Sequence, residues 1–184
     1  MQDTVELKLH SLAEIVGNPD VGVIVLQDMA GANQISVLCD KLMKDELQLR
    51  LSKKKVCNTM LPEILVNILR VNVGLRYELV INDIIDGVYR AMIIDTDTYQ
   101  PLSLRAADAV LLHCISKIPL YATTQLMKRQ ALPVNPLTPA MALPYNALTD
   151  KMLSKALEAA VSMEKYELAS IIRDELRKRE KPDT

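Results

Sequence analysis

Four aspartates beside a predicted β-hairpin are the residues whose type best suits metal binding. Asp83, Asp86, Asp95 and Asp97 follow one another closely along the chain. Carboxylates that converge on one or two divalent cations are what phosphodiester hydrolysis usually requires. Aspartates are equally common at strand ends and in turns, and we favour that structural interpretation for all four.

A pair of opposite charges and a histidine share one predicted helix. Arg105 and Asp108 are three residues apart, so they can lie on one face of the helix and form a salt bridge. His113 would act as a general base only if it faced a cleft. We favour a structural ion pair and a partly buried histidine. The sequence contains no Ser/His/Asp or Cys/His arrangement, P-loop or dinucleotide-binding glycine pattern.

The compact basic run of the sequence is Lys53, Lys54 and Lys55. A solvated loop is the favoured interpretation, and a patch that steers phosphates is the alternative. The basic residues 177–179 lie at the end of the last predicted helix, where cations are favoured by the helix dipole, so they require no ligand.

The overall composition disfavours several classes of function. The chain has 184 residues, of which 49% are hydrophobic, so it can bury a substantial core. It has no Phe and no Trp, which argues against single-strand recognition by base stacking. The formal net charge of −1 makes strong nonspecific binding to nucleic acid less favourable.

The cysteines and the N-terminal residues bear on the cellular compartment. Three isolated cysteines without a Cys-x-x-Cys motif disfavour a zinc site and fit a reducing environment. No signal-peptide pattern is visible at the N-terminus, and no apolar run is long enough for a membrane span. We therefore expect a cytoplasmic protein without a membrane partner.

The element pattern predicts an α+β fold with a mixed, mostly antiparallel sheet and packed helices. Alternating or β-branched runs predict strands, and apolar stripes at helical spacing predict helices. Ser103 is predicted to cap the helix that carries Arg105. The predicted strands are residues 5–9, 21–26, 35–38, 75–81, 88–94 and 99–104, and the predicted helices are residues 42–51, 61–69, 105–116 and 123–129.

The composition changes after residue 130. Residues 133–144 contain four prolines and no charged residue, which indicates a semi-rigid linker. Two short apolar stripes follow, and they predict an antiparallel helical hairpin. The expected organisation is an α+β domain at residues 1–130, a proline-rich linker at 131–147 and the hairpin at 148–180.

The hairpin resembles the UVR motif of bacterial excision-repair and protein-quality-control adaptors. The matching residues are 153–160 and the run Tyr-Glu-Leu-Ala-Ser-Ile-Ile-Arg-Asp-Glu-Leu at residues 166–176. Such motifs self-associate or pair with a partner's hairpin, and a two-helix hairpin has little core of its own. The resemblance implies a homo-oligomer and a protein partner, contacted through Leu153, Leu157, Tyr166, Ala169, Ile172, Arg173 and Leu176.

The first 130 residues resemble the bifunctional nuclease domain family. The resemblance lies in the opening strand at residues 5–9, in Asp-Gly-Val-Tyr-Arg-Ala at residues 86–91 and in the run from Ser103 at residues 103–112. Some bacterial members of that family carry a C-terminal UVR motif. Where the family has a His-Asp pair, this chain has Lys-Val-Cys-Asn-Thr-Met at residues 55–60, and Ala107 replaces a family serine.

The resemblance implies a nuclease that hydrolyses phosphodiester bonds in DNA or RNA. In that case Arg105 contacts phosphate, Asp108 acts as base or metal ligand, Lys53, Lys54 and Lys55 bind nucleic acid, and Mg²⁺ or Mn²⁺ is the cofactor. The alternative is a noncatalytic oligomeric scaffold that binds a protein partner through the hairpin and needs no cofactor. The missing His-Asp pair and the near-neutral charge favour this alternative.

Overall fold

A single eight-stranded sheet organises the protein, whose computed structural model describes residues 3–15, 18–72, 74–134 and 145–180. The sheet confirms the predicted α+β class. Its strands are β1 (Thr4–Ile15), β2 (Asn18–Asp28), β3 (Asn33–Asp40), β4 (Tyr77–Ile85), β5 (Val88–Asp95), β6 (Pro101–Arg105), β7 (Leu120–Thr123) and β8 (Leu132–Pro133).

Two antiparallel units meet at one short strand in the middle of the sheet. The strand order is β6-β5-β4-β7-β1-β2-β3-β8. β7 pairs in parallel with β4 and antiparallel with β1, so it joins the β4–β6 unit to the β1–β3 unit. β7 and β8 are not among the predicted strands, because segments of four and two residues are too short to show a period.

The turn between β4 and β5 forms as the sequence predicts. Asp86 and Gly87 both have positive φ, at 50° and 77°, and the strands resume pairing directly at Ile85 and Val88. Positive φ at both central residues is the requirement of a two-residue type I′ hairpin, for which Asp-Gly is a preferred sequence.

Six α-helices accompany the sheet in the described ranges, and a 3₁₀ turn (Lys55–Thr59) precedes the second of them. The predicted Ser103 cap is wrong, because Ser103 lies inside β6 and Arg105 occupies the position before the third helix. The helices are α1 (Lys41–Leu51), α2 (Leu61–Asn72), α3 (Ala106–Ser116), α4 (Thr124–Gln130), α5 (Asp150–Ser162) and α6 (Tyr166–Glu180).

The main core lies between the sheet and helices α1, α3 and α4. It is aliphatic, as the lack of Phe and Trp requires, and each fully buried large side chain contributes about 2 kcal/mol of transfer free energy. The central members are fully buried, and they include Leu7, Ile24, Leu79, Ile81, Val110, Leu120 and Leu126.

The segment after α4 differs from the predicted linker at both of its described ends. Leu132–Pro133 forms β8 and pairs with β3, and a 3₁₀ turn (Tyr145–Ala147) buries Ala147 against the main core. Residues 135–144, which contain the other prolines of the predicted linker, lie outside the described residues.

Helices α5 and α6 form the predicted hairpin and bury their stripes against each other. Leu153 and Ile172 are fully buried in a second, smaller core that also contains Leu148, Ala160 and Ala169. The two helices are separated by a short turn in which Glu164 has positive φ. Among the residues that the structure describes, no helix is long and apolar enough to cross a membrane.

One arginine joins the two ends of the hairpin, and the sequence analysis did not foresee this role. The guanidinium of Arg179 donates hydrogen bonds to the Leu148 carbonyl (2.7 Å), the Asn146 carbonyl (3.1 Å) and the carboxylates of Asp150 (2.9 Å) and Glu175 (3.0 Å). Its side chain is buried. Arg179 is therefore a structural clamp and not merely a cation favoured by the helix dipole.

The hairpin begins directly against the β4–β5 turn. A Cβ added to Gly87 would lie 2.4 Å from the Leu148 carbonyl oxygen and 3.3 Å from Nη1 of Arg179. Two constraints thus favour glycine at position 87: the positive φ of the turn, and the close approach of the chain that leads into α5.

Candidate functional site

Arg105 and Asp108 form a bidentate ion pair where β6 passes into α3. Arg105 Nε lies 2.6 Å from Asp108 Oδ2, and Arg105 Nη2 lies 3.0 Å from Oδ1. Asp108 stands in the first turn of α3, where the helix dipole favours a carboxylate. The hydrogen bonds that Arg105 donates to Asp108 raise the pKa of Arg105. The guanidinium is largely exposed, so it can turn toward another anion.

A second arginine lies directly beside this pair. Arg90 of β5 is in register with Arg105 of β6, and on its other side it is in register with Asp83 of β4. The Asp83 carboxylate pairs with Arg129 of α4 at 3.0 Å. We call Arg90, Arg105 and Arg129, with their partners Asp83 and Asp108, the arginine row.

The arginine row carries unneutralised positive charge. Like charges directly opposite each other on neighbouring strands are unfavourable. Asp108 neutralises Arg105 and Asp83 neutralises Arg129, whereas Arg90 has no salt bridge with any described residue. Such an arrangement suits an anionic ligand, because guanidinium groups bind phosphate in bidentate fashion.

The four aspartates near the hairpin do not come together. Asp86 lies in the turn, and Asp95 accepts backbone N–H hydrogen bonds from Asp97 (2.8 Å) and Thr98 (3.0 Å) at the other end of β5. These hydrogen bonds lower the pKa of Asp95. Asp97 pairs with Arg76. These positions fit the interpretation that the aspartates are ordinary residues of turns and strand ends.

A metal held mainly by protein ligands does not fit the described residues. They contain no group of three or more His, Cys, Asp or Glu side chains that could hold an ion together. Mg²⁺ is commonly bound by one or two carboxylates with substrate phosphates completing its shell. The expected Mg²⁺ or Mn²⁺ therefore has no preformed cage among these side chains.

The lysine run lies at the opposite end of α3 from Arg105. Lys53, Lys54 and Lys55 are exposed and line a cavity of about 290 Å³ together with residues of α1, α2 and the end of α3. That cavity reaches Cys114, and nine residues of helix separate this position from Arg105 by about 14 Å. The two predicted nucleic-acid contacts are thus separate, although one strand several nucleotides long could span both.

His113 has a structural role. Its Nδ1 lies 2.8 Å from the Ile118 carbonyl oxygen, and this contact holds the turn that follows α3. Lys117, in that turn, has a positive φ of 64° and donates its N–H to the His113 carbonyl. This placement agrees with the favoured interpretation of a partly buried histidine.

A mostly apolar cavity of about 320 Å³ opens beside Arg105, and the sequence analysis missed it. Its walls include Asp40, Tyr89 and Thr149, from separate parts of the chain. Burial raises the pKa of the Cys39 thiol to about 11 and raises the pKa of Tyr89. No local motif marks such a cavity, since its walls come from strands, from helices and from the segment before α5 that only the tertiary fold brings together.

The predicted partner contacts in the hairpin differ widely in exposure. Leu153, Ala169 and Ile172 are buried between α5 and α6, and Leu157 and Leu176 are partly buried. Tyr166 and Arg173 are exposed. In this conformation Tyr166 and Arg173 are the predicted contacts that are exposed to a partner. Large apolar residues that were not predicted as contacts are exposed as well: Val161, Met163 and Ile171.

The comparisons with known proteins address the α+β part of the chain. No curated protein matches the sequence significantly. A family model described as the bifunctional nuclease domain matches residues 24–135, which is more than half of the chain and includes the arginine row and the lysine run. The chain therefore belongs to the bifunctional nuclease domain family.

Proposed function

We propose that the protein binds a nucleic-acid strand along the arginine row and hydrolyses its phosphodiester bonds, with Asp108 as the general base. The observation that carries this proposal is the family match, because its span contains every residue of the row. The unneutralised Arg90 beside Arg105 supports it, since the pair presents two guanidiniums to one phosphate.

Substrate phosphate competes with Asp108 for Arg105. When the exposed guanidinium of Arg105 turns to the phosphate, both oxygens of Asp108 lose their hydrogen bonds. The freed carboxylate takes a proton from water as the water oxygen attacks phosphorus. The bond to the leaving oxygen breaks, and that oxygen takes a proton from solvent water and departs as a hydroxyl group. Arg90 and Arg105 then face the negative charge that develops on the phosphoryl oxygens.

The lysine run provides a second phosphate contact in this proposal. A strand bound at the arginine row and running along α3 would reach the cavity lined by Lys53, Lys54 and Lys55, since this cavity reaches Cys114, about 14 Å along α3 from Arg105. Because the chain as a whole is nearly neutral, binding depends on these local clusters and weakens steeply with salt.

The test is a cleavage assay on single-stranded DNA, double-stranded DNA and RNA, with Mg²⁺, Mn²⁺ or EDTA. We expect wild-type cleavage of at least one substrate and a loss of about 100-fold or more in Asp108→Asn, the range typical of a general base. Arg90→Ala should weaken binding. It should also make the slope of log binding constant against log salt concentration shallower by about 1, the loss of one phosphate contact.

The matched control is Asp97→Asn. It breaks an exposed Arg–Asp pair like that of Asp108, but at the opposite end of β5. It should cleave like the wild type. Equal cleavage by Asp108→Asn and the wild type would refute this active site, and no cleavage by the wild type under any condition would refute the nuclease proposal.

A second candidate function is suggested by the tip of the hairpin. Val161, Met163 and Tyr166 are large apolar side chains, each more than half exposed, at the turn between α5 and α6. We propose that this tip contacts an apolar surface of a protein partner. The protein would then act as an adaptor.

Site-specific photocrosslinking in cells tests the adaptor role. A photoreactive residue at position 163 should yield one reproducible crosslinked partner, and Tyr166→Ser should abolish it. The control is the same photoreactive residue at Lys155, which is exposed on α5 away from the tip. Identical crosslinks from both positions would contradict recognition by the tip.

A further inference from the structure

Helix α2 is attached to the body of the protein by polar groups. Its buried residues are Glu63 and Val66. Glu63 forms an ion pair with Arg50 of α1, and both side chains are buried. Arg50 Nη2 donates a hydrogen bond to Glu63 at 3.1 Å, and Arg50 Nε lies 2.8 Å from the other carboxylate oxygen. At the far end of α2, Arg70 donates to the Ser116 carbonyl at 3.3 Å. The charged groups of α2 are therefore directed to the body of the protein.

Apart from the buried Val66, the large apolar side chains of α2 point outward. We call them the α2 outer face, and the four in the middle form a continuous patch at i, i+1, i+4, i+5 spacing. Their exposure ranges from 41% for Ile64 to 83% for Val71. The α2 outer face comprises Leu61, Ile64, Leu65, Ile68, Leu69 and Val71.

Such a face is unusual on an isolated protein. A surface helix normally directs its apolar stripe to the core and its charges to water, the reverse of α2. Six half-exposed aliphatic side chains present on the order of 500 Å² of apolar surface, at the upper end of what monomers expose. We propose that the α2 outer face packs against the α2 outer face of a second copy of this chain, which makes the protein a twofold dimer.

Area and charge favour a second copy. In a twofold interface both partners contribute the same patch, so the two faces together bury roughly 1,000 Å², the minimum for a stable specific contact. Within α2 the charged residues are Glu63 and Arg70, and both are engaged with the body. Two copies can therefore approach without bringing like charges together.

A membrane surface fits the α2 outer face less well. Interfacial helices carry several Lys and Arg residues along the flanks of their apolar stripe. The residues of α2 that flank the outer face are Pro62 and Asn67, which are uncharged. This inference concerns assembly and is independent of the proposed nuclease activity.

The experiment measures the mass of the full chain by light scattering after gel filtration, with Ile68→Glu as the test variant. We expect a dimer for the wild type and a monomer with an unchanged circular dichroism spectrum for Ile68→Glu. Two matched variants should remain dimeric: Leu42→Glu, which charges an exposed leucine on α1, and Met163→Glu, which charges the hairpin tip.

A second readout locates the contact. A twofold axis through the α2 outer face brings the middle of each helix close to its own copy, so Leu65→Cys should form a disulfide-linked dimer on oxidation and Leu42→Cys should not. Three results would overturn the proposal: a dimeric Ile68→Glu, a wild type that is monomeric at tens of micromolar, or a monomeric wild type that sediments with anionic vesicles through Ile68.

Discussion

Helix α2 and the C-terminal hairpin have similar apolar stripes, and the fold uses them in opposite ways. The hairpin turns its stripes inward, so that Leu153 and Ile172 are fully buried between its own two helices. Helix α2 turns Glu63 inward and leaves its leucines and isoleucines exposed. From the sequence, the hairpin was expected to need a partner for its stripes and α2 gave no such signal.

The difference shows what helical periodicity can and cannot predict. A 3.6-residue repeat indicates that one face of a helix is apolar, and it contains no information about what covers that face. In the hairpin the second helix follows immediately and supplies the cover. In α2 the decisive interaction is the ion pair between Arg50 and Glu63, thirteen residues apart, which holds the polar side against the body.

The comparison predicts its largest effect in the hairpin core. Leu153→Ala should destabilise the hairpin by about 3 to 4 kcal/mol, because the side chain is fully buried and leaves a cavity. Amide hydrogen exchange of α5 and α6 measures this as a gain of about 100-fold or more in exchange rate. Ile171→Ala, which truncates an exposed neighbour on α6, should change the rate little.

The second largest effect is expected at the ion pair between Arg50 and Glu63, which attaches α2 to α1. Glu63→Ala should lower the free energy of unfolding by about 3 kcal/mol, because it leaves the buried guanidinium of Arg50 with Glu46 as its remaining carboxylate. Burial by itself would lower the pKa of Arg50, but the hydrogen bonds that Arg50 donates to Glu46 and Glu63 outweigh burial and raise it. Chemical denaturation measures this change in the free energy of unfolding.

Two controls make the Glu63 prediction specific. Asp83→Ala breaks an exposed ion pair with Arg129 and should cost less than about 1 kcal/mol. The double variant Arg50→Met with Glu63→Met should recover most of the loss, since apolar residues can replace a buried ion pair without leaving a lone charge. A Glu63→Ala variant as stable as Asp83→Ala would show that α2 is held by other contacts.

Most of the fold could be predicted from local patterns. The Asp86-Gly87 turn, the alternation in β4 and β5 and the stripes of α5 and α6 each depend on neighbours within a few residues. β7 could not be found in this way. Its four residues have no period, and it is a strand only because β1 and β4 lie on either side of it.

The candidate site was only partly accessible from the sequence. The Arg105–Asp108 pair forms because i,i+3 spacing is local. Arg90 and Asp83 join it through strand register, and Arg129 through the packing of α4, which no sequence spacing reveals. Arg179 was likewise explained by its place at a helix end, whereas its hydrogen bonds reach back to Leu148.

Gly87 lies at the junction between the hairpin and the sheet. Gly87→Ala should lower the free energy of unfolding by about 2 to 3 kcal/mol relative to the wild type. The loss has two causes, the positive φ at this position and a Cβ that would lie 2.4 Å from the Leu148 carbonyl oxygen. Gly31→Ala is the matched control, with φ of 71° and the nearest atom at 3.9 Å. It should cost about 1 kcal/mol, from backbone strain alone. Thermal unfolding of both variants measures the difference in stability. Equal losses of stability would show that the backbone at Leu148 shifts at little cost to accommodate the Cβ.

The smallest effect on the folded monomer is expected on the α2 outer face. Leu65→Lys should change the stability of a dilute monomer by less than about 0.5 kcal/mol, because half of Leu65 is already exposed and it adds nothing to the main core. The same change should remove the concentration dependence of unfolding, since subunit binding stabilises the native state by mass action. The melting temperature of the wild type should therefore rise between low and high micromolar protein, whereas that of Leu65→Lys stays constant. If both melting temperatures were independent of concentration, α2 would be an apolar helix that this chain leaves uncovered, and the contrast with the hairpin would lie in packing alone.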